Sequence, residues 1–558
     1  MGLNVFYSAG TELPHVAYFC MEYGLNASIP IYSGGLGILA GDYIKAAREL
    51  GRPMVAVGIL WRQGYTEQHI DSNGQPYDVY RDYEFPDLKD TGVSVSVRIW
   101  EHDVVCKVWV LDNQGNVPLY LLDAGFPGSP HGWMTQRLYG GGRQERIAAE
   151  MILGIGGIRA LRALGLSIDV YHFNEGHAVF AGLELIREKM NQGQSFERAW
   201  HNTRQEIVFT THTPVAAGNE VHDHDTLGRM GAYNGLNYNQ MRDLGGDPFS
   251  MTVAGLRLSY MANGVSKLHG RTVHRMWGHL ESIPLIFSIT NGVHPGTWQD
   301  PRIKQAFETR GDLWSIHMDN KRKLIEYVKE KGLGNLREDT LLIGFARRAA
   351  SYKRGDLIFR NPEVIDAYLS TGKIQIIFSA KAHPADMMGK EIIARLVEFQ
   401  KRYPDNVVFI ENYNMDIATL LVRGCDIWLN NPRRPQEASG TSGMKAAMNG
   451  VLNLSVEDGW VGEGVQHGIN GWLLDFHPGE NLSPQEQDEL DMKSLYRVLL
   501  QEVLPMYNHN RKHWVEMMML SIDMSRWQFS SHRMCREYYD LMYTPVTTNK
   551  RQLLNQSV

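Results

Sequence analysis

A pair of doubly wound α/β domains is the fold that this sequence predicts. Short β-branched or aliphatic runs alternate with amphipathic stretches along the chain, the rhythm of parallel sheets covered by helices. The chain has 558 residues, more than one hydrophobic core accommodates. Turns rich in glycine or arginine directly follow or precede the predicted elements.

In the first half, residues 15–20, 169–173 and 207–211 read as buried strands, and 39–50 as a helix. Between Gly51 and Asp123 several segments alternate polar and apolar residues, among them 93–97 and 104–111, which predicts a β-rich excursion. Residues 148–164 read as a strong helix. In the second half, strands are expected at 341–346, 374–379, 407–410, 427–429 and 451–455, separated by helices at 362–370, 388–402 and 417–423. A boundary is expected near 297–337, with a helix around 318–331 inside it. This gives a first domain over 1–310, a second over 311–543 and a loose polar tail over 544–558. Doubly wound domains facing one another place a ligand in the cleft, at the carboxyl ends of their strands.

Composition narrows the function. The formal net charge of −6 argues against a nucleic-acid binder, which would present a basic face. Any anion site must then be a local cluster of cations. Cys20, Cys106, Cys425 and Cys535 are far apart and form no CxxC pair, which predicts free thiols and a reducing compartment. Residues 1–10 lack the pattern of a signal peptide, and no window has the length and apolarity of a membrane span, so a cytoplasmic location is expected. The run His222-Asp-His224-Asp contains metal-ligand residue types, but its polar setting and spacing predict a solvated loop and no metal.

Three segments carry the chemistry. Glu437 to Lys445 reads EASGTSGMK, small residues between a strand ending near Leu429 and a helix expected through Ala446–Met448. Such a turn lets backbone N–H groups approach an anion. The dipole contributes only ~0.3–2 kcal/mol, so cations must add to it. Arg347, Arg348 and Lys353, in RRAASYKR after the strand at 341–346, supply them. Arginine binds phosphate as a planar fork, lysine as a point charge. Ser33 to Gly37, SGGLG, precedes a helix and allows close backbone approach to a ligand. Its spacing is not that of a dinucleotide loop.

Together these segments resemble the α-glucan (glycogen, starch, maltodextrin) phosphorylases, and further matching motifs follow in order: YFCMEYG at 18–24, FNEGH at 173–177, NGVSKLH at 263–269, TNGVHPGTW at 290–298, KAHPADMMGK at 381–390 and ENY at 411–413. The resemblance implies a fold of two Rossmann-like domains facing across a cleft, of the GT-B glycosyltransferase type. It implies reversible phosphorolysis of terminal α-1,4-linked glucosyl units to α-D-glucose 1-phosphate with retention. The partners would be α-glucan and inorganic phosphate, the cofactor pyridoxal phosphate, and the assembly a homodimer.

The same resemblance implies roles residue by residue. Lys445 would carry the cofactor as a Schiff base, Lys353 would bind its phosphate, and Tyr413 and Trp298 would lie beside it. Arg348 would bind the substrate phosphate, with Arg347 in place of the family's usual lysine. Gly34, Gly35, Ser439 and Thr441 would contact phosphates, with Leu36 completing the glycine loop beside the substrate. His269 and Asn291 would hold the glucose 6-hydroxyl and Glu437 another hydroxyl. His177 and Glu175 would stand near the entrance. A retaining glycosidase needs two carboxylates; here clustered cations would hold two phosphates together, the cofactor's phosphate acting as proton partner.

Two departures qualify the match. The YFCMEYG motif begins 17 residues in, without the family's usual preceding portion, so nucleotide or phosphorylation control tied to that portion is expected to be absent. Asp386 stands where the family has a tyrosine, so the acceptor-side entrance differs. Two other functions fit the same scaffold. A nucleotide-sugar glucosyltransferase has no reason to keep Lys445, and a catalytically dead glucan-binding protein none to keep Arg348, Lys353, His269 and Glu437 with it.

Overall fold

Two sheets organise residues 13–214, 218–475 and 482–548, which the computed structural model describes. The first has nine strands, in the spatial order Leu285–Ser288, Met261–Gly264, Ile207–Thr210, Val170–Asn174, Val16–Phe19, Met54–Ile59, Leu119–Asp123, His102–Leu111 and Lys89–Ile99. The first seven run parallel. His102–Leu111 pairs antiparallel with both Leu119–Asp123 and Lys89–Ile99. The two kinds of strand differ in sequence for a physical reason. Val16–Phe19 is buried throughout because helices cover both faces of a parallel sheet. Lys89–Ile99 alternates buried and exposed positions toward its end, as a sheet with one wet face requires. This is the β-rich excursion expected between Gly51 and Asp123.

The second sheet has six parallel strands, in the order Val407–Ile410, Ile374–Ser379, Leu341–Ala346, Ile427–Asn430, Leu452–Ser455 and Gly471–Leu473. Numbered along the chain this order is 3-2-1-4-5-6, and the parallel strands of the first sheet follow the same scheme with one strand more. Both sheets therefore reverse direction beside their first strand. In open α/β sheets that reversal opens a crevice at the carboxyl ends of the strands. It lies between Val16–Phe19 and Val170–Asn174 in one sheet, and between Leu341–Ala346 and Ile427–Asn430 in the other. All six residues of Leu341–Ala346 are buried, and each fully buried aliphatic side chain contributes about 1.5–3 kcal/mol.

Helix ends follow local capping chemistry. Asp312 caps Leu313–Glu330 and Asp386 caps Met387–Arg402, each carboxylate accepting from a backbone N–H three residues on. The helix expected at 39–50 begins at Gly35, so the glycine loop forms its first turn. Gly41 lets this helix touch the loop before it, since a Cβ there would lie 1.9 Å from the Gly24 carbonyl oxygen. The helix expected at 148–164 begins at Arg143 and includes a wide turn over Ile152–Gly156. A Cβ on Gly154 would lie 2.5 Å from the Ala181 amide nitrogen, so glycine permits close packing on the helix Phe180–Asn191. Beneath the second sheet, Lys321 donates to Asp426 at 2.6 Å with both side chains fully buried. His317 approaches the same carboxylate at 2.8 Å.

Three expectations need correction. The chain end does not stay with the second sheet: Met534, Cys535, Tyr538, Tyr539, Met542 and Tyr543 join the core of the first. Tyr543 hydroxyl lies 2.7 Å from Tyr43 hydroxyl and 2.6 Å from His172 Nδ1, long-range pairings with no local signal. The tail is not loose from residue 544, because 544–548 continue as helix and Val546 is buried; residues 549–558 lie outside the described residues. The histidine run is not a solvated loop. His222 is buried against Glu150 at 3.2 Å, Asp223 caps the helix His224–Met230, and His224 Nε2 donates to the Gly246 carbonyl at 2.8 Å. All four cysteines are free and buried.

Candidate active site

Segments that follow the strands flanking both reversal points line one cavity of about 570 Å³. From the first sheet come the glycine loop and Glu22, which follow Val16–Phe19, and Glu175 to His177, which follow Val170–Asn174. From the second come Arg347, Arg348, Tyr352 and Lys353, which follow Leu341–Ala346. The turn Gln436 to Ser442 and Lys445 follow Ile427–Asn430.

Buried Glu22 organises the glycine loop. It accepts from the Ser33 and Gly34 amides at 2.6 and 3.2 Å and from the Tyr139 hydroxyl at 2.9 Å. The amides of Gly35 and Leu36, at the start of a 15-residue helix, have no partner one turn back and suit an anion. A Cβ on Gly34 or Gly35 would meet nothing within 4 Å, so open space lies beside the loop.

On the opposite wall Glu437 gathers cations. Arg347 Nη2 lies 2.5 Å from its carboxylate and Lys353 Nζ 2.7 Å; Arg347 also donates to Asn430 Oδ1 at 2.5 Å. Burial alone would raise the Glu437 carboxyl, but the Lys353 and Arg347 charges outweigh it and hold it at about 2. Behind it Asp458 accepts from the Glu437 amide at 2.9 Å and is pushed up by burial to about 7. Arg348 is exposed and forms no ion pair among the described residues.

Lys445 is not at the mouth of a turn, as its motif suggested, but in the helix Ser442–Met448, and it is buried. Its Nζ lies 3.8 Å from the centroid of the Trp298 ring. Burial lowers its ammonium to about 8, with Asp42 acting the other way. Trp298 is fully buried, and half-buried Tyr413 also lines the cavity. Thr441 precedes the helix without capping it through its side chain.

Several buried polar atoms of the site lack a partner among the described residues: Asn291 Oδ1, Ser439 Oγ, His177 Nδ1, His269 Nε2 and Arg347 Nε. An unsatisfied buried group costs about 1–3 kcal/mol. His177 Nε2 accepts from Arg146 at 3.1 Å, so the orphaned Nδ1 carries the ring proton. His269 stands one layer behind the lining, its Nδ1 accepting from the Val265 amide at 3.2 Å, and burial lowers it to about 4.

The cavity also holds residues that sequence reasoning had not placed there. His212 follows the strand Ile207–Thr210; its Nε2 lies 2.7 Å from Asn174 Oδ1 and burial lowers it to about 3. Its place just past a parallel strand was the available signal. Lys381 donates to the Thr66 carbonyl at 3.0 Å, and burial lowers it to about 8. Arg146 and Glu220 pair at 2.6 Å. Asp386 serves as a helix cap. Among the described residues, two groups come close enough to share a cation: Glu49, His294 and His532, and Glu150, His177 and Glu220. In the first, both imidazoles already bond to Glu49, at 2.9 and 2.6 Å. In the second, Arg146 occupies the centre.

Comparison with known proteins agrees with this arrangement. Residues 299–463 match the family model described as carbohydrate phosphorylase. The chain is 40% identical to the maltodextrin phosphorylase of Thermococcus litoralis, over 96% of this chain and 71% of that protein. It is 36% identical to the glycogen phosphorylase of Mycobacterium tuberculosis, over 96% and 71%. It is 32% identical to that of Aquifex aeolicus, over 95% and 86%. With a cation-lined cavity at the strand ends and relatives alike along almost its whole length, this chain belongs to the carbohydrate phosphorylase family.

Proposed function

We propose that this protein is an α-1,4-glucan phosphorylase that transfers a terminal glucosyl unit reversibly between an α-glucan and inorganic phosphate, giving α-D-glucose 1-phosphate with retention. One observation carries the reading. A buried lysine whose ammonium has no hydrogen bond or ion pair among the described residues, Lys445, shares a cavity with the cations Arg347, Arg348 and Lys353 and with Asn291 and Ser439, orphaned among those residues.

The donor set fits pyridoxal phosphate. Lys445 would hold it covalently, Trp298 and Tyr413 would flank it, and Lys353 with Thr441 and the Gly35 amide would bind its phosphate. When bound, the cofactor supplies a phosphate group as proton partner to the substrate phosphate. The chain's own residues do the rest. Arg348 and Arg347 hold and orient the substrate phosphate, and their charge offsets repulsion between two phosphates. Glu437, ionised at every working pH, fixes Arg347 and Lys353 in place and offers an acceptor to a sugar hydroxyl. Asn291, with His269 behind it, and His177 suit the glucosyl hydroxyls, because neutral imidazoles and amides bind sugars without trapping a charge.

The same reading makes the two sheets the centres of two Rossmann-like domains of GT-B type, facing across the cavity. The first comprises residues up to about 310 together with the returning segment from Ser531, and the second comprises the residues between. The test is intact mass after borohydride reduction, with the modified peptide mapped, beside an assay of glucose 1-phosphate formed from maltodextrin and phosphate. An adduct on Lys445 and phosphate-dependent release support the reading. Folded protein supplied with cofactor that leaves Lys445 unmodified overturns it.

A further inference from the structure

We infer that Asp42 is the buried counter-charge of Lys445 and sets the state in which that lysine accepts its cofactor. This rests on the proposed role of Lys445.

Asp42 lies on the helix Gly35–Glu49, fewer than two turns beyond the glycine loop, and is buried. Both its carboxylate oxygens accept from Trp298 Nε1, at 3.0 and 2.9 Å, and Oδ2 accepts from the His294 amide at 3.1 Å. The Trp298 ring face carries Lys445 Nζ at 3.8 Å. One indole is thus held at its edge by the anion and on its face by the cation, tying a helix of the first sheet to one of the second. A buried ammonium is costly without compensation, and Lys445 forms no ion pair of its own among the described residues.

Charges around the pair are few. Burial lowers Lys445, and Asp42 is the charge that opposes this. Burial raises Asp42, opposed by Lys445 and by His294. Lys45, on the same helix, also faces Asp42, its Nζ held by the Leu25 carbonyl at 2.7 Å and by Thr297 Oγ1 at 3.1 Å. Glu49 lies beyond His294, at 2.9 Å from its Nε2. From the neighbouring helix Met415–Gly424, Arg423 donates to the Trp298 carbonyl at 3.0 Å.

Attachment requires the neutral amine. Its nitrogen lone pair adds to the aldehyde carbon, the aldehyde oxygen leaves as water with two protons from nitrogen, and a C=N bond remains. By favouring the ammonium, Asp42 raises the pH at which Lys445 reacts. It is therefore a positioning residue, not one that touches the reacting atoms.

The experiment follows the initial rate of the borohydride-trapped pyridoxal phosphate adduct on Lys445, by mass, from about pH 6 to 10. It uses the cofactor-stripped full chain and its Asp42→Asn and Asp42→Ser variants, with circular dichroism confirming the fold. In both Asp42 variants the half-maximal pH should fall by about one unit or more, so the rate at about pH 6 rises roughly ten-fold. A neutral variant that overlays wild type overturns the inference. A wild-type chain without an adduct at any pH overturns instead the cofactor reading beneath it.

Discussion

Arg347 and Glu437 meet at 2.5 Å across 90 residues of sequence, and Lys353 joins the same carboxylate at 2.7 Å. The pair links the end of Leu341–Ala346 to the turn before Lys445, fixing two cations where phosphates would enter. Replacing Glu437 by Gln keeps the shape and removes the anchor. Phosphorolysis should fall about 10²- to 10³-fold, the scale of losing one preorganised electrostatic group, as measured by kcat for glucose 1-phosphate release. Near-wild-type turnover would show that the carboxylate is dispensable.

Arg348 differs from its neighbour in being exposed and unpaired among the described residues. Arg348→Ala should lower phosphorolysis at least ~10²-fold and leave the melting temperature unchanged, since no packing is lost. A large fall in stability with little loss of turnover would reverse the assignment.

Glu220 is pushed up to about 8 by burial and by the Glu150 charge beside it, against the pull of Arg146. The unfolded chain ionises near 4.5, so this group costs stability progressively as pH rises from there through about 8, and fully above. Glu220→Gln removes the cost. Thermal denaturation should show the variant gaining on wild type at about pH 9 but not at about pH 4; a gain independent of pH contradicts the shift.

Lys321 and Asp426 form a fully buried ion pair. Breaking it from one side with Lys321→Met leaves a buried carboxylate that His317 and the Leu342 amide still contact but no lysine charge offsets, and should cost about 3–5 kcal/mol. Urea denaturation measures this, and a loss below about 1 kcal/mol would place the pair among weak surface bridges.

Much of the site was legible because its residues cluster in short motifs beside predictable strands. Arg347 and Arg348 directly follow a run of six buried residues, and strands at 341–346, 374–379 and 407–410 have the bounds that their apolar runs predict. Asp42 and His212 gave weaker signals. An acid inside an amphipathic helix reads as a solvated position, and a lone histidine as a core one.

By itself the sequence determined the alternation of strand and helix, the positions of the glycine- and arginine-rich segments that line the cavity and the family resemblance, since these depend on local pattern and on residues adjacent in the chain. Only the tertiary structure decided that Glu437 pairs with two of the cations, that Trp298 stands between Asp42 and Lys445, and that the segment from Ser531 returns to the first core. Those are contacts between residues roughly a hundred to five hundred positions apart, and pairing over such separations is fixed by burial and packing of the whole molecule, which no local pattern encodes.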